Sequence, residues 1–403
     1  MRIHLIFAAA GLIAANLPAQ GRVQRPMTFE DFAAVKNVGD PQISPNGAWV
    51  LYSLRTTDVN ANKRTTVTML VPITGVAAAG GMRVGQFPSG ATQASEARWS
   101  PDGKRVAYVS GGQLWIADAS GANARQISNV NAGASGPVWS PTGDRIAFVS
   151  GVYPDCDGDA CNIERAKAAD TGKVKAHIAD NLLYRHWTEW TPETRSHLFV
   201  VSPDGTGLLD VTGRVKYDVP PGPFGGSEGY SFSPDGKELA YTAKDQGRED
   251  AWSTDLNVYV VPVTGGTATA ITASNRGADQ NPVYSPDGRT ILYGSQARPG
   301  FESDRVRLMA YDRASRTSRE LLPNWDRNAD SYAFSPSGDA IYLTTVDASR
   351  TKLYRISRGA SIGKLVNADI NSSKIRDALT AGEWSGTPQL LTNGGNNFSP
   401  SIS

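Results

Sequence analysis

One pattern of apolar and polar residues recurs along the chain. A short apolar stretch ends in an aromatic residue, a polar turn follows, and a second apolar stretch leads away. In GYSFSPDGKELAYT, Tyr230 and Phe232 precede the turn Ser233-Pro234-Asp235-Gly236. Proline pre-sets φ at the first corner, Asp bonds its own backbone, and Gly accepts the positive φ that completes the reversal. The pattern therefore predicts two short antiparallel strands joined by a tight turn.

Six copies of this turn are present, and they predict a β-propeller. Successive copies lie 56, 40, 93, 52 and 50 residues apart, close to the roughly 40 to 50 residues of a propeller blade apart from the third gap. The strands after the turns, such as RVAYVS and RIAFVS, are apolar or small on both faces, which is typical of strands buried on both sides. The turns begin at Ser44, Ser100, Ser140, Ser233, Ser285 and Ser335.

The predicted fold class is all-β, with a propeller of six to seven four-stranded blades over residues 41–403. A short helix is expected in the lead-in, residues 27–40, because Thr28 can cap it with Asp31 three positions later. We expect this helix to end at Gly39 and to plug or brace the propeller.

The long third gap indicates an insert in blade three, residues 152–196, with a weak helix around Ile163 to Ala169. The turn Ser202-Pro203-Asp204-Gly205 imitates the repeated motif but follows a third strand, so we interpret it as the turn between outer strands. Near the C-terminus, Pro388 to Thr392 resembles an outer strand. Phe398-Ser399-Pro400 resembles the start of a further hairpin, and the last blade is therefore predicted to be incomplete.

Composition supports many turns and no strong electrostatic field. The chain has 41 Gly and 24 Pro among 403 residues, and 40 basic residues balance 39 acidic ones. Neither nucleic acid nor anionic lipid is implied as a partner. Residues 1–19 have the pattern of a signal peptide, with Arg2 before an apolar run and small residues before Ala19. We expect a periplasmic or secreted protein with no membrane contact after cleavage; the alternative is an uncleaved anchor.

Two cysteines fit an exported protein. Cys156 and Cys161 can close a small loop, and we predict a structural disulfide. Asp155, Asp157 and Asp159 alternate like the start of a calcium loop, but the glycine and the distal glutamate of that motif are missing. No metal and no cofactor are therefore predicted.

Six segments together carry a family resemblance. They occur in the order MTFEDFAAVKNVGDPQISPNG, DACN, LLYRHWTEW with RSHLFVV, YDVPP, NPVYSPDGRTILY and RPGFESDR. Over about Met27 to Ile356 they resemble the N-terminal propeller of bacterial prolyl oligopeptidase family serine peptidases, in the branch of acylaminoacyl and dipeptidyl peptidases. The resemblance implies an α/β-hydrolase domain after the propeller, and we expect this chain to lack that domain.

No catalytic residue is predicted. An α/β-hydrolase triad needs an exposed Ser on a strand-to-helix elbow, followed by Asp and then His. Ser227 and Ser361 each lie in a Gly-x-Ser-x-Gly stretch, but His177, His186 and His197 all precede them. Both stretches are interpreted as loops.

Two groups of side chains are candidates for peptide binding. On the insert, carboxylate and aromatic side chains suit a free α-amine and apolar side chains; the alternative is that the tryptophans pack the insert onto blade three. In the loop of blade five, the alternative is a set of ion pairs that brace neighbouring blades. The candidates are Arg185, Trp187, Glu189 and Trp190 in the first group and Arg298, Glu302 and Arg305 in the second.

Three functional hypotheses follow. The leading one is the substrate-gating and binding propeller of an exported serine exopeptidase that acts on peptide N-termini, without hydrolysis by this chain alone. Its partner is a peptide or the missing hydrolase domain. The others are a free-standing periplasmic scaffold for protein interactions and a truncated, non-functional fragment. The sequence leaves the oligomeric state open.

Overall fold

A computed structural model describes residues 25–73, 85–88, 93–213, 215–357 and 388–391. Within these residues, six four-stranded antiparallel sheets form the six blades of a propeller, and a separate two-stranded hairpin belongs to the insert. The predicted all-β propeller is confirmed. The further hairpin expected at Phe398-Ser399-Pro400 lies outside the described residues.

Within each blade the strands lie side by side in the order of the chain, from the inner edge to the outer edge. Blade one contains β1 (Asn37–Ile43), β2 (Trp49–Asp58), β3 (Lys63–Pro72) and β4 (Gly85–Phe87). Blade two contains β5 (Ser95–Trp99), β6 (Arg105–Ser110), β7 (Gln113–Asp118) and β8 (Arg125–Gln126). Blade three contains β9 (Ser135–Trp139), β10 (Ile146–Val152), β13 (Arg195–Val201) and β14 (Leu209–Asp210), and its insert carries β11 (Arg185–His186) and β12 (Glu189–Trp190).

The remaining three blades have the same order without a long insert. Blade four contains β15 (Tyr230–Phe232), β16 (Glu238–Ala243), β17 (Asn257–Pro262) and β18 (Thr269–Ala270). Blade five contains β19 (Asp279–Tyr284), β20 (Thr290–Ser295), β21 (Arg307–Asp312) and β22 (Thr317–Glu320). Blade six contains β23 (Ser331–Phe334), β24 (Ala340–Asp347), β25 (Arg350–Ser357) and β26 (Gln389–Leu390). The outer strand predicted at Pro388 to Thr392 is thus β26.

The two predicted helices are present, with different lengths. Helix α2 (Asp159–Thr171) lies in the insert and is longer than predicted. Helix α1 (Phe29–Ala33) begins at the expected cap, where the Asp31 amide donates to Thr28 Oγ1 at 3.3 Å. The expectation that it reaches Gly39 is wrong, because from Asn37 the backbone pairs with β2 instead. None of the helix residues is buried, so α1 does not plug the propeller.

The repeated turns stack against each other between neighbouring blades. In each turn the Gly amide donates to the Ser carbonyl, at 2.8 Å between Gly103 and Ser100. Gly103 has φ +67°, and a Cβ there would lie 3.4 Å from Pro45 Cδ of the preceding turn. Glycine is required by the backbone angle and by this close approach. The turn Ser202-Pro203-Asp204-Gly205 joins β13 to β14, as predicted.

Apolar clusters join consecutive blades. Buried residues link blades one and two, two and three, three and four, four and five, and five and six. Among the described residues, no such cluster links blade six to blade one. Tyr52 in β2 is half-buried, whereas Tyr108 at the matching position of β6 is fully buried against blade one.

The meander of strands separates two faces of the propeller. The turns between first and second strands, and between third and fourth strands, lie on one side, here named the turn face. The links between second and third strands, and from one blade to the next, lie on the other side, here named the connection face. The insert of blade three leaves β10 and returns to β13, so it belongs to the connection face.

Candidate functional site

A groove of about 2150 Å³ lies on the connection face. Its walls are the insert of blade three, residues 215–229 of the link between blades three and four, and the second-to-third-strand loops of blades four and five. Part of its floor is the start of β19, at Gln280 and Asn281. The groove therefore forms where the four longest links of the connection face meet.

The groove is acidic on balance. Seven carboxylates and four basic side chains line it, and Lys244 is already bound to Asp250, with 3.4 Å between Nζ and Oδ1. Asp245 and Glu302 are exposed, and their carboxylates have no ion pair or hydrogen bond within the described part of the chain. The acidic residues are Asp180, Glu193, Asp218, Glu228, Asp245, Asp250 and Glu302, and the basic ones are Arg195, Lys216, Lys244 and Arg248.

Asp218 is the most enclosed of these carboxylates. Burial raises its pKa, while the Ser196 amide, which donates to Asp218 Oδ1 at 2.7 Å, opposes that rise together with the charges of Arg195 and His197. The Val219 amide donates to the Ser196 carbonyl at 2.7 Å. These bonds hold the link between blades three and four against the start of β13.

His197 contacts the same link between blades three and four through Val215. It is 1% exposed; its Nδ1 lies 2.6 Å from Asp210 Oδ2, and its Nε2 lies 3.1 Å from the Val215 carbonyl oxygen. His197, which its position before Ser227 and Ser361 excluded from a hydrolase triad, is thus part of the wall that supports the groove.

Aromatic rings line the insert side of the groove. The His177 and Trp190 rings stack with centroids 4.5 Å apart, and Tyr184 lies 6.1 Å from Trp190. On the opposite wall, Tyr217 stacks on Tyr259 at 6.3 Å. Burial raises the pKa of Tyr259, the ring behind Tyr217, to about 12. The groove therefore combines carboxylates with apolar ring faces.

The four insert candidates lie on the hairpin of β11 and β12, but their side chains make different contacts. Trp190 lines the groove, whereas Trp187 lies beside Phe224, with ring centroids 5.7 Å apart. Arg185 donates to the Trp187 carbonyl at 2.9 Å, and Glu189 is exposed on β12. The two tryptophans are 75% and 51% exposed, so they do not pack the insert onto blade three.

The blade-five candidates are separated by the structure. Arg298 Nε lies 3.0 Å from Asp304 Oδ1, and its guanidinium covers the Phe301 ring at 4.0 Å. Arg305 binds Glu320 at 2.6 Å and the Trp325 carbonyl at 2.5 Å. Both arginines are bound within blade five and its link to blade six, and Glu302 alone of this group lines the groove.

The remaining predicted features are placed as follows. Cys156 and Cys161 form a disulfide with their Cα atoms 5.4 Å apart. Ser227 lies in a short 3-10 helix, Ser227–Gly229, and Ser361 lies outside the described residues. Within the described ranges, no group of three His, Cys, Asp or Glu residues is arranged to hold a metal ion, and no helix has the length and apolarity to cross a membrane.

Sequence reasoning missed the carboxylates of the blade-four side. Asp218, Asp245 and Asp250 come from two loops, and they meet at the groove only because blades three and four are adjacent. The one available signal was position in the repeat. Links between second and third strands and links between blades all lie on the connection face. Residue type gave no signal, because an acidic residue in a loop is ordinarily solvated.

Comparisons with known proteins place the fold in a family. Residues 111–378 match the family described as PD40, TolB beta propeller domain, and the chain belongs to this family. It is also similar to dipeptidyl-peptidase 5 of Porphyromonas gingivalis, with 31% identity over 371 residues, 87% of this chain and 51% of the relative. For dipeptidyl-peptidase 5 of Porphyromonas endodontalis the identity is 30%, covering 74% of this chain and 43% of the relative. The chain thus spans about half the length of these relatives.

Solved structures show the same fold at lower identity. The Pyrococcus horikoshii acylaminoacyl peptidase has a TM-score of 0.58 and 15% identity, covering 80% of this chain and 45% of that one. The β-propeller domain of the Trilobed protease from Pyrococcus furiosus has a TM-score of 0.50 and 15% identity, covering 80% of this chain and 84% of that one. The predicted resemblance to peptidase propellers is confirmed.

Proposed function

We propose that this chain is the propeller module of an exported exopeptidase that acts on peptide N-termini, and that its groove restricts access and binds the peptide. The observation that carries the proposal is the acidic, aromatic-lined groove on the connection face. The relatives named dipeptidyl-peptidase 5 support the peptidase class. The module itself positions peptides and does not cleave them.

The chemistry of the groove suits a peptide that begins with a free amine. An ammonium group pairs with a carboxylate through charge-assisted hydrogen bonds, and Glu302 and Asp245 offer carboxylates with no other partner in the described part of the chain. The ring faces of Trp190 and Tyr184 offer contact area to apolar side chains. We assign Glu302 and Asp245 the recognition of the amino terminus.

Peptide binding to the purified chain tests this assignment. Calorimetry should show Ala-Phe-Ala-Ala binding about 10-fold or more tightly than its N-acetyl form, the size expected for one charged hydrogen bond. Glu302→Gln should remove most of that preference. Glu164→Gln makes the same charge change on the exposed surface of α2, outside the groove, and should leave it intact. Equal affinity for the free and acetylated peptides would contradict the proposal.

The distribution of exposed apolar side chains supports a partner domain on the connection face. Among the described residues, the large exposed apolar side chains lie in or beside the connections of this face, including Phe29, Trp187, Phe224 and Trp252. The exceptions are Leu208, Leu209, Leu390 and Leu391. Concentrations of exposed apolar surface mark interaction sites. We assign this face to the catalytic domain, with the groove between the two.

An immunoblot of the native cells tests the modular arrangement and export together. Because 87% of the chain covers 51% of its Porphyromonas gingivalis relative, an antibody against it should detect a product about 1.7 times its 42.9 kDa mass, in the exported fraction. A product of the mass of this chain alone, or one confined to the cytoplasm, would argue against the proposal. The purified chain should also resist labelling by a fluorophosphonate, and labelling would overturn its non-catalytic role.

A further inference from the structure

The side chain of Gln296 closes the loop between β20 and β21, which carries Glu302. Gln296 is 9% exposed, and its Nε2 donates to the carbonyl oxygens of Glu302 at 2.8 Å and Asp304 at 2.9 Å. A primary amide has two protons on this nitrogen, so both are used. The backbone of Gln296 is itself fixed, because its amide donates to the Ala278 carbonyl at 2.9 Å and its carbonyl accepts from Asn275 Nδ2 at 2.9 Å. Gln296 therefore ties the backbone of Glu302 to the body of the blade.

Further hydrogen bonds close the same loop and join it to blade four. Asp304 Oδ2 accepts from the amides of Ala297 at 2.8 Å and Arg298 at 2.9 Å, so the two ends of the loop meet. The Gly300 amide donates to Thr254 Oγ1 at 2.8 Å, and Thr254 belongs to the second-to-third-strand loop of blade four. The two loops that form one wall of the groove are therefore bound to each other.

Blade four closes its own groove loop in the same way. Lys244 and Gln296 each lie 11 residues after the turn serine of their blade. Lys244 Nζ donates to the carbonyl oxygen of Asp250, six residues further on, at 2.6 Å, and Glu302 is likewise six residues after Gln296. Both carboxylates assigned to the amino terminus, Asp245 and Glu302, therefore lie in loops that are closed by a side chain at the same position of the repeat.

We propose that Gln296 is a positioning residue for recognition of the peptide amino terminus by Glu302, an inference that rests on the proposed function. The Glu302 carboxylate is exposed and has no ion pair or hydrogen bond within the described part of the chain, so the backbone of its loop sets its position. A loop that is ordered before binding loses less conformational entropy when the ligand binds. By holding the loop, Gln296 increases the affinity for the ammonium group and leaves contacts with the rest of the peptide unchanged.

Hydrogen exchange measured by mass spectrometry tests the closure of the loop without any ligand. Gln296→Met removes both donors and keeps the length of the side chain, so amides of residues 297–304 should exchange about 5- to 10-fold faster than in the wild type, the factor expected for loss of one hydrogen bond. Gln113→Met is the matched control, because Gln113 Nε2 donates to the Val130 carbonyl at 2.9 Å outside the groove. It should leave residues 297–304 unchanged. Unchanged exchange of these residues in Gln296→Met would overturn the proposal.

Calorimetry with Ala-Phe-Ala-Ala and its N-acetyl form separates positioning from a general structural role. Gln296→Met should weaken binding of the free peptide about 5- to 10-fold and leave binding of the acetylated peptide within error, whereas Gln113→Met should change neither. An equal loss for both peptides would overturn the proposal. In the Glu302→Gln background, Gln296→Met should cause no further loss, because the carboxylate that it positions is already removed. A further loss of the same size would show that Gln296 does not act through Glu302.

A second variant and the wild type keep the two proposals distinguishable. If Gln296→Met fails to fold, Thr254→Val loosens the loop from the side of blade four, since it removes the acceptor of the Gly300 amide, and it should again weaken only the free peptide. A wild type that binds both peptides equally would reject the proposed function and this inference with it. A wild-type preference for the free peptide that survives the loosening of the loop would reject this inference alone.

Discussion

Trp139 donates its indole Nε1 proton to the carbonyl oxygen of Arg98, at 3.0 Å. The bond joins the inner strand of blade three to that of blade two, and Trp99 makes the equivalent bond to Gln42 in blade one, at 3.1 Å. The tryptophans before the turn serines of blades two and three therefore have two roles. Each fills the space between blades, and its indole N–H ties neighbouring inner strands together.

Trp139→Phe should lower stability while the propeller is retained. The substitution leaves the Arg98 carbonyl without this donor in a site where Trp139 is only 8% exposed, and losing such a bond costs about 1–2 kcal/mol. Urea unfolding followed by far-UV circular dichroism should show a lower midpoint. Trp187→Phe, at a side chain that is 75% exposed, serves as the control and should leave the midpoint within error. Equal shifts in both variants would contradict the role assigned to the indole bond.

Asp279→Ala should raise stability at alkaline pH. Burial raises the pKa of Asp279 to about 6, and its Oδ2 atom has no hydrogen-bond partner within the described structure. The alanines Ala94, Ala134 and Ala329 occupy the equivalent position, six residues before the turn serine, in blades two, three and six, and all three are buried. The carboxylate is thus an exception among the blades.

The sign of the pH effect follows from the raised pKa. The folded state binds the proton more tightly than the unfolded chain, so stability is lost as pH rises from about 4 through 6, by about 2–3 kcal/mol. Thermal unfolding of Asp279→Ala should therefore show a higher midpoint than wild type at pH 8, with the gap closing at pH 4. Asp279→Asn should also flatten the pH profile. A gap that stays constant from pH 4 to pH 8 would show that the charge is not the cause.

Removal of the disulfide should loosen the insert rather than the propeller. The bond between Cys156 and Cys161 closes a loop with a sequence separation of 5, for which loop-closure entropy gives about 2 kcal/mol. In the double substitution to serine, limited proteolysis should cut within α2 sooner, while the blades remain resistant. Early cleavage in blades four to six would contradict this local effect.

Arg305→Ala should affect stability and leave peptide binding unchanged. Arg305 is bound to Glu320 and to the Trp325 carbonyl and does not line the groove. Loss of these contacts should cost about 1–2 kcal/mol in urea unfolding. Glu302→Gln should do the reverse, weakening amine recognition with an unchanged unfolding midpoint. If Arg305→Ala is fully folded under the binding conditions and still has a weaker peptide affinity, this arginine contacts the peptide.

The repeat was readable from sequence because its determinants are local. Proline, aspartate and glycine set the backbone angles of each turn, and the apolar runs beside them mark strands that are buried on both faces. The same reasoning identified the insert and its helix. The prediction that α1 reaches Gly39 was wrong, however. Asn37 pairs with Arg55 of the next strand, and the helical pattern of one segment does not reveal a contact between strands.

The candidate site was only partly readable, for the same reason. Trp190 and Glu302 were identified by residue type and do line the groove, whereas Arg298 and Arg305 are bound within their own blade. Nothing in the sequence near His197 or Asp218 distinguishes them, since each acts through residues from another element.

The sequence by itself determined the repeated two-strand unit, its turns and the position of the insert, since these depend on backbone angles and on burial of neighbouring side chains. The tertiary structure alone decided which loops share a face, which carboxylates meet in the groove, and which charged side chains are already paired. Those outcomes depend on how the blades pack around the ring, which brings together residues that are far apart in the chain.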